Sequence, residues 1–253
     1  MVATEPAGVA VAHGESPVRW WVFDGAVAPI DMADVPPAGA AFWEATYAND
    51  CEKGKRTSRR LDCQPAWAAT LAWMRGQAAE WSARLGYAVE DDPTLHGGGF
   101  HVTEPGGYLS CHLDYDLSPV VPGKRRALNL IGFLNPEWRE EWGGALCLCD
   151  PVGSVVQRFI PKPGRLVAFE TNDLSYHMVE PVTRQRRCVY CGATGDTSGG
   201  ACKVCWPGMM DGDLRPKYTA DHPPERVTAA VYYLAEPGPW NTRQRAMFLP
   251  KRG

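Results

Sequence analysis

The apolar positions change their period near residue 96, and that change divides the chain into two styles of structure. Between residues 64 and 85, Trp67, Leu71, Met74, Ala78 and Trp81 recur at steps of three and four. That spacing puts them on one face of a helix. Gly86 suits the position just past its end. A shorter helix is predicted over residues 38–47, because Pro36 and Pro37 fit a first helical turn. Residues 19–23 read as a first strand, and the polar, basic stretch 51–60 as a surface loop. From residue 96 onward the apolar runs become short and are separated by Gly, Pro and Asp. They fall at residues 100–103, 108–114, 127–134, 145–149, 155–160, 166–170 and 227–234. Seven strands at this spacing predict a sandwich or jelly roll. Helices first and strands afterwards is an α+β order, with the helices packed on one face of a sheet. The strand rhythm breaks between residues 187 and 224, where four cysteines cluster, and this stretch reads as an insertion.

Composition narrows the picture only in places. A chain of 253 residues can bury one substantial core. The net charge of -3 gives no electrostatic reason to expect broad contact with nucleic acid or an acidic membrane. The 22 prolines and 26 glycines suit the many turns of a strand-rich fold. No apolar run reaches the roughly 18 residues of a membrane-spanning helix. Residues 1–17 lack a basic segment followed by a long apolar one, so they read as a disordered leader rather than a secretion signal. Nine cysteines, an odd number that includes two CxxC pairs, point to a reducing cytoplasm and metal-bound thiolates.

The candidate chemistry begins at His112 and Asp114. Residues two apart on a strand face the same side, so both side chains can point into a barrel. A third ligand must come from a distant strand, and His177 offers one. Two histidines and one carboxylate form the facial triad of non-haem Fe(II) oxygenases, which leaves the opposite face of the metal open. A later run, residues 226–234, opens on Arg226 and shares one face among Arg226, Thr228 and Ala230. An arginine lining a barrel is costly unless an anion pairs with it, and its planar fork grips a carboxylate.

These residues sit in a longer ordered series. It comprises Gly97-Gly98-Gly99-Phe100-His101, then Gly106-Gly107-Tyr108-Leu109-Ser110-Cys111-His112-Leu113-Asp114, then Arg125-Arg126-Ala127-Leu128-Asn129-Leu130. Leu134-Asn135-Pro136-Glu137-Trp138, Trp142-Gly143-Gly144 and Phe169-Glu170-Thr171-Asn172-Asp173-Leu174-Ser175-Tyr176-His177 follow. The series resembles the prolyl 4-hydroxylase-like branch of the Fe(II)/2-oxoglutarate-dependent oxygenases. The resemblance implies a double-stranded β-helix (jelly roll, cupin-like) with N-terminal supporting helices. It implies one oxygenase domain over residues 18–253, with its core at about 96–236. His112, Asp114 and His177 would be the catalytic iron ligands. Arg226 would anchor the distal carboxylate of 2-oxoglutarate, with Asn129 and Tyr108 lining that pocket. Arg186 is the alternative anchor, because it follows His177 at the family's usual short spacing. The expected reaction is hydroxylation of an unactivated C–H on an amino-acid, peptidyl (prolyl included) or small-metabolite substrate. It uses O2 and yields succinate and CO2, with ascorbate as an optional addition.

Cys188-x-x-Cys191 and Cys202-x-x-Cys205 form two knuckles joined by a glycine-rich loop. This is the pattern of a structural Zn(II) bound by four thiolates, placed in an insertion at about 188–223. Such a metal would order a segment that has little core of its own. A competing function is a catalytically silent jelly roll that binds protein or nucleic acid through this zinc ribbon.

Overall fold

The computed structural model describes residues 10–60, 65–182 and 224–250. Strands β1 (Ala10–Gly14) and β2 (Trp20–Phe23) form an antiparallel hairpin. The expectation of a disordered leader through residue 17 is therefore corrected from Ala10 onward. The reason is the free edge of β2, which offers unpaired backbone groups to the preceding residues. Gly14 lets the Trp20 ring lie against the hairpin, since a Cβ there would fall 2.6 Å from that ring.

The helix expected over residues 38–47 does not form. Asp31 caps a single 3-10 turn at Met32–Asp34, and β3 (Ala45–Ala48) follows. Between them Phe42 and Trp43 pack edge-to-face at 4.9 Å, and the Trp43 indole donates to the carbonyls of Pro36 and Pro37. Tertiary contacts of these aromatics override a weak local preference. The loop expected at 51–60 is also corrected: Glu52–Ser58 is strand β4, paired with β3 and with the long strand β6 (Gly99–Leu113). Its polar pattern hid it. Arg56, only 1% exposed, is held between Glu104 and Glu225 and lies over the Trp43 ring.

The predicted helix 64–85 appears as two, α1 (Pro65–Arg75) and α2 (Ala78–Leu85), with Gly86 closing α2 in the left-handed region at φ 79°. The break at Gly76 and Gln77 is filled by Tyr233. Its hydroxyl donates to the Met74 carbonyl at 2.6 Å and accepts from the Gln77 amide at 3.0 Å. Tyr233→Phe leaves both groups short of a partner. It is expected to cost about 1–3 kcal/mol in a urea unfolding curve, and an unchanged midpoint would refute this role.

After the short β5 (Glu90–Asp91), β6 runs through both of the strands expected at 100–103 and 108–114. Residues 104–107 bulge out between the pairs Lys55–Thr103 and Lys53–Tyr108. The remaining strands are β7 (Arg125–Phe133), β8 (Leu146–Cys149), β9 (Val155–Phe159), β10 (Leu166–Glu170), β11 (His177–Val179), β12 (Arg226–Ala235) and β13 (Met247–Phe248). They are antiparallel, in the order β1-β2-β10-β7-β12-β6-β11-β8-β9. β6 belongs to both halves of the sheet, so the sheet curls into a jelly roll.

Alternation along β12 shows how the layers form. Val227, Ala229, Val231 and Tyr233 join the core under the helices, with Trp67, Leu71 and Met74. Arg226, Thr228 and Tyr232 face the barrel cavity instead. Both faces are covered, and every residue of β12 is buried. A second cluster, including Phe133, Leu148 and Phe169, closes the barrel interior.

Candidate metal centre

His112 and Asp114 lie two residues apart at the end of β6, and both side chains turn to the cavity. The register of β11 on β6 places His177 directly opposite His112, with ring centroids 4.2 Å apart. In each ring Nδ1 lies 2.9 Å from a backbone carbonyl two residues back, that of Ser110 or Ser175. A carbonyl can only accept, so Nδ1 carries a hydrogen and Nε2 is the nitrogen available to a metal. The two Nε2 atoms lie 3.6 and 3.7 Å from the carboxylate oxygens of Asp114. One donor atom from each residue falls within 4.8 Å of the others. Three converging donors, two imidazole and one carboxylate, fit Fe(II) and leave room on the cavity side.

Electrostatics keep these donors ready. Burial opposes the charge on Asp114. Even so, the Arg126 guanidinium 2.7 Å away, with the two histidines, holds its carboxyl well below the usual range. Burial, reinforced by His112, pushes His177 down to about 4. Between pH 4 and 6.5 the unfolded chain takes up a proton at this histidine that the native chain refuses. Stability of the metal-free protein is therefore expected to fall as pH drops through that window. The check is denaturant midpoints for the protein and for His177→Gln, whose midpoint should vary less with pH.

The cavity has a volume of about 380 Å³. Arg226 reaches it 3% exposed, with Nε donating to the Gly144 carbonyl at 2.7 Å and the guanidinium 5.0 Å from the Phe133 ring. Among the described residues no carboxylate pairs with it, and burial pulls it down to about 10. His101, also buried, lines the same cavity with Nε2 unpartnered among the described residues. Tyr108 lines the cavity too, and its hydroxyl donates to the Asp50 carbonyl. Asn129 lines the cavity, but its amide donates to Asp114 Oδ2 at 2.8 Å and its oxygen accepts from Thr171 at 3.2 Å. Its observed partners are thus Asp114, one of the three candidate metal donors, and Thr171, just past the end of β10. Arg186, Cys188, Cys191, Cys202 and Cys205 lie outside the described residues. Cys51, Cys111, Cys147 and Cys149 are free thiols, and burial pushes Cys147 up to about 12.

Two contributors escaped the sequence reading. In the sequence Arg126 stands out only as part of the run Arg125-Arg126-Ala127-Leu128-Asn129-Leu130. The C-terminal segment gave no signal at all: Gln244, Arg245 and Ala246 line the cavity, and Phe248 stacks on His112 at 5.1 Å. Arg243 pins this segment by contacts to Asp116, Asp173 and the Asp114 carbonyl.

Residues 98–192 match the sequence model of the 2OG-Fe(II) oxygenase superfamily, a span that holds all three metal donors and ends before Arg226. A prolyl 3-hydroxylase, OGFOD1 of Xenopus laevis, is 31% identical over 125 residues, 47% of this chain and 20% of that protein. The chain thus spans about a fifth of the length of this curated relative. Among solved structures, a prolyl-4-hydroxylase from Pseudomonas putida aligns at 16% identity and TM-score 0.43, covering 79% of this chain and 77% of that one. A prolyl hydroxylase from Trichoplax adhaerens, in complex with a hypoxia inducible factor peptide fragment, aligns at 14% identity and TM-score 0.44, covering 76% and 70%.

Proposed function

We propose that this chain, whose residues 98–192 are a 2OG-Fe(II) oxygenase domain, is a 2-oxoglutarate-dependent dioxygenase that hydroxylates an unactivated C–H bond. The observation that carries the reading is a pairing within one cavity. Three metal donors converge there, and the buried cation of Arg226 has no carboxylate beside it among the described residues. A buried cation of this kind is stable only when an anion joins it.

When bound, iron with 2-oxoglutarate supplies the oxidative decarboxylation that yields succinate and CO2 and delivers an oxygen atom to the substrate. The protein's own contribution is positional. His112, Asp114 and His177 hold the metal, and the Nδ1–H bonds to Ser110 and Ser175 keep both imidazoles aimed. Arg226 takes the distal carboxylate through its two terminal nitrogens, because Nε is already engaged by Gly144. Thr228, on the same face of β12, can add a hydroxyl to that carboxylate. Leu146, Phe169 and Phe248 give the cavity an apolar lining that limits water.

Peptidyl proline is the substrate we favour, since the curated relative is named for that chemistry. Free amino acids and small metabolites remain within the same reaction class. The cysteine spacing at 188, 191, 202 and 205 leads us to propose one structural zinc as well. The test combines metal analysis with a succinate assay over proline-containing peptides, free amino acids and small metabolites. The expected result is one zinc per chain and Fe(II)-dependent succinate that rises with one substrate class. A chain that binds neither Fe(II) nor 2-oxoglutarate would instead fit a silent binding module.

A further inference from the structure

We propose that Arg126 and Asn129 are positioning residues that keep Asp114 a one-oxygen ligand, so that the coordination positions facing the cavity stay free for the co-substrate and O2. The inference rests on the iron reading of the site. Oδ2 of Asp114 receives two N–H groups, one from Arg126 Nη1 at 2.7 Å and one from Asn129 Nδ2 at 2.8 Å. Those two bonds use both of its lone pairs. Oδ2 also lies 3.7 Å from His177 Nε2, but with both of its lone pairs taken only Oδ1, 3.6 Å from His112 Nε2, is left to bind a metal.

Neither donor is free to turn away. Thr171 donates to the Asn129 amide oxygen at 3.2 Å, which fixes the opposite, NH2 end of that amide on Asp114. The Arg126 guanidinium is 2% exposed and lies between two tyrosine rings, 3.9 Å from Tyr115 and 3.5 Å from Tyr232. Its Nη2 donates to the His96 carbonyl at 3.2 Å. Aromatic faces on both sides hold a planar cation in one plane.

The consequence concerns how many positions the carboxylate takes. A carboxylate released from these donors can close both oxygens on a metal. It would then occupy a position that a chelating 2-oxoglutarate or O2 needs. Arg126 keeps Asp114 ionised, while its own positive charge beside a metal opposes the binding of a cation. A residue whose role is mere support of the fold would lower metal affinity when replaced. The proposal expects the opposite separation.

The experiment uses Co(II) as a visible probe in the full chain, without and then with 2-oxoglutarate. Asn129→Ala and Arg126→Met are compared with the unaltered protein, and thermal unfolding checks the fold. Both variants are expected to retain Co(II) binding. Their Co(II) absorption spectra should differ from that of the unaltered protein before any 2-oxoglutarate is added. Affinity of the Co(II)-loaded variants for 2-oxoglutarate should fall, because the second carboxylate oxygen would compete for the position it needs. Asn129→Ala keeps the Asp114–Arg126 pair and is the variant that retains its fold if Arg126→Met does not. Unchanged spectra in the folded variants would overturn the proposal, as would loss of Co(II) itself. An unaltered protein that takes up no Co(II) would overturn the metal-centre reading and the proposal with it.

Discussion

His112→Ala is expected to abolish succinate formation while leaving the fold in place, whereas Asp114→Ala removes activity and stability together. Both substitutions delete a candidate metal donor. They differ in what they leave behind. Asp114 is the partner of Arg126, whose guanidinium is 2% exposed and 2.7 Å away. Removing one member of a buried pair strands the other charge, at about 3–5 kcal/mol. For a domain of this size that corresponds to a loss of roughly 6–20 °C in Tm. Removing the His112 ring frees only the Ser110 carbonyl, which its Nδ1 faces at 2.9 Å, and leaves the Asp114–Arg126 pair intact. The His112→Ala protein should stay within about 2 kcal/mol of the unaltered chain. Succinate assays and calorimetric melts on both variants decide the matter. Full turnover in His112→Ala would remove it from the metal site, and equal melts for the two variants would refute the ion-pair argument.

Arg226→Met should separate function from stability in the other direction. Arg226 is 3% exposed, and among the described residues no carboxylate offsets its charge. Replacing a buried charge with an apolar side chain of similar volume is often neutral or stabilising by about 1–4 kcal/mol. A folded protein that is no less stable, with KM for 2-oxoglutarate raised on the order of 30-fold or more, is the expected outcome. The affinity loss follows from about 2–5 kcal/mol for truncating one partner of a buried charge pair. An unchanged KM would transfer the anchoring role to another residue, with Arg186 the first to examine.

What was legible in the sequence follows the reach of local periodicity. The α1–α2 face, the strands from β6 to β10 together with β12, and the His112–Asp114 pair all rest on spacings of two to four residues. Such spacings determine which side of an element a residue occupies, whatever the rest of the chain does. The polar strand β4 was not legible, because its pattern lacks apolar alternation and its burial depends on Glu104 and Glu225 far along the chain. The helix expected over 38–47 failed for a related reason: Phe42 and Trp43 pack on partners such as Trp67 and Phe100 that no local rule can name.

The sequence by itself determined the donor types, their order and the strand that carries Arg226. Only the tertiary structure decided how the site is held. The register of β11 on β6 sets His177 against His112. A bulge in β7 turns Arg126 to the cavity. Tyr233 and Leu234 pair with Leu128 and Arg126, leaving Ala127 as the extra residue. Strict alternation from Asn129 would send Arg126 to the helix side, and one inserted residue reverses its face. A bulge is defined by two strands together, so it cannot be read from either strand alone.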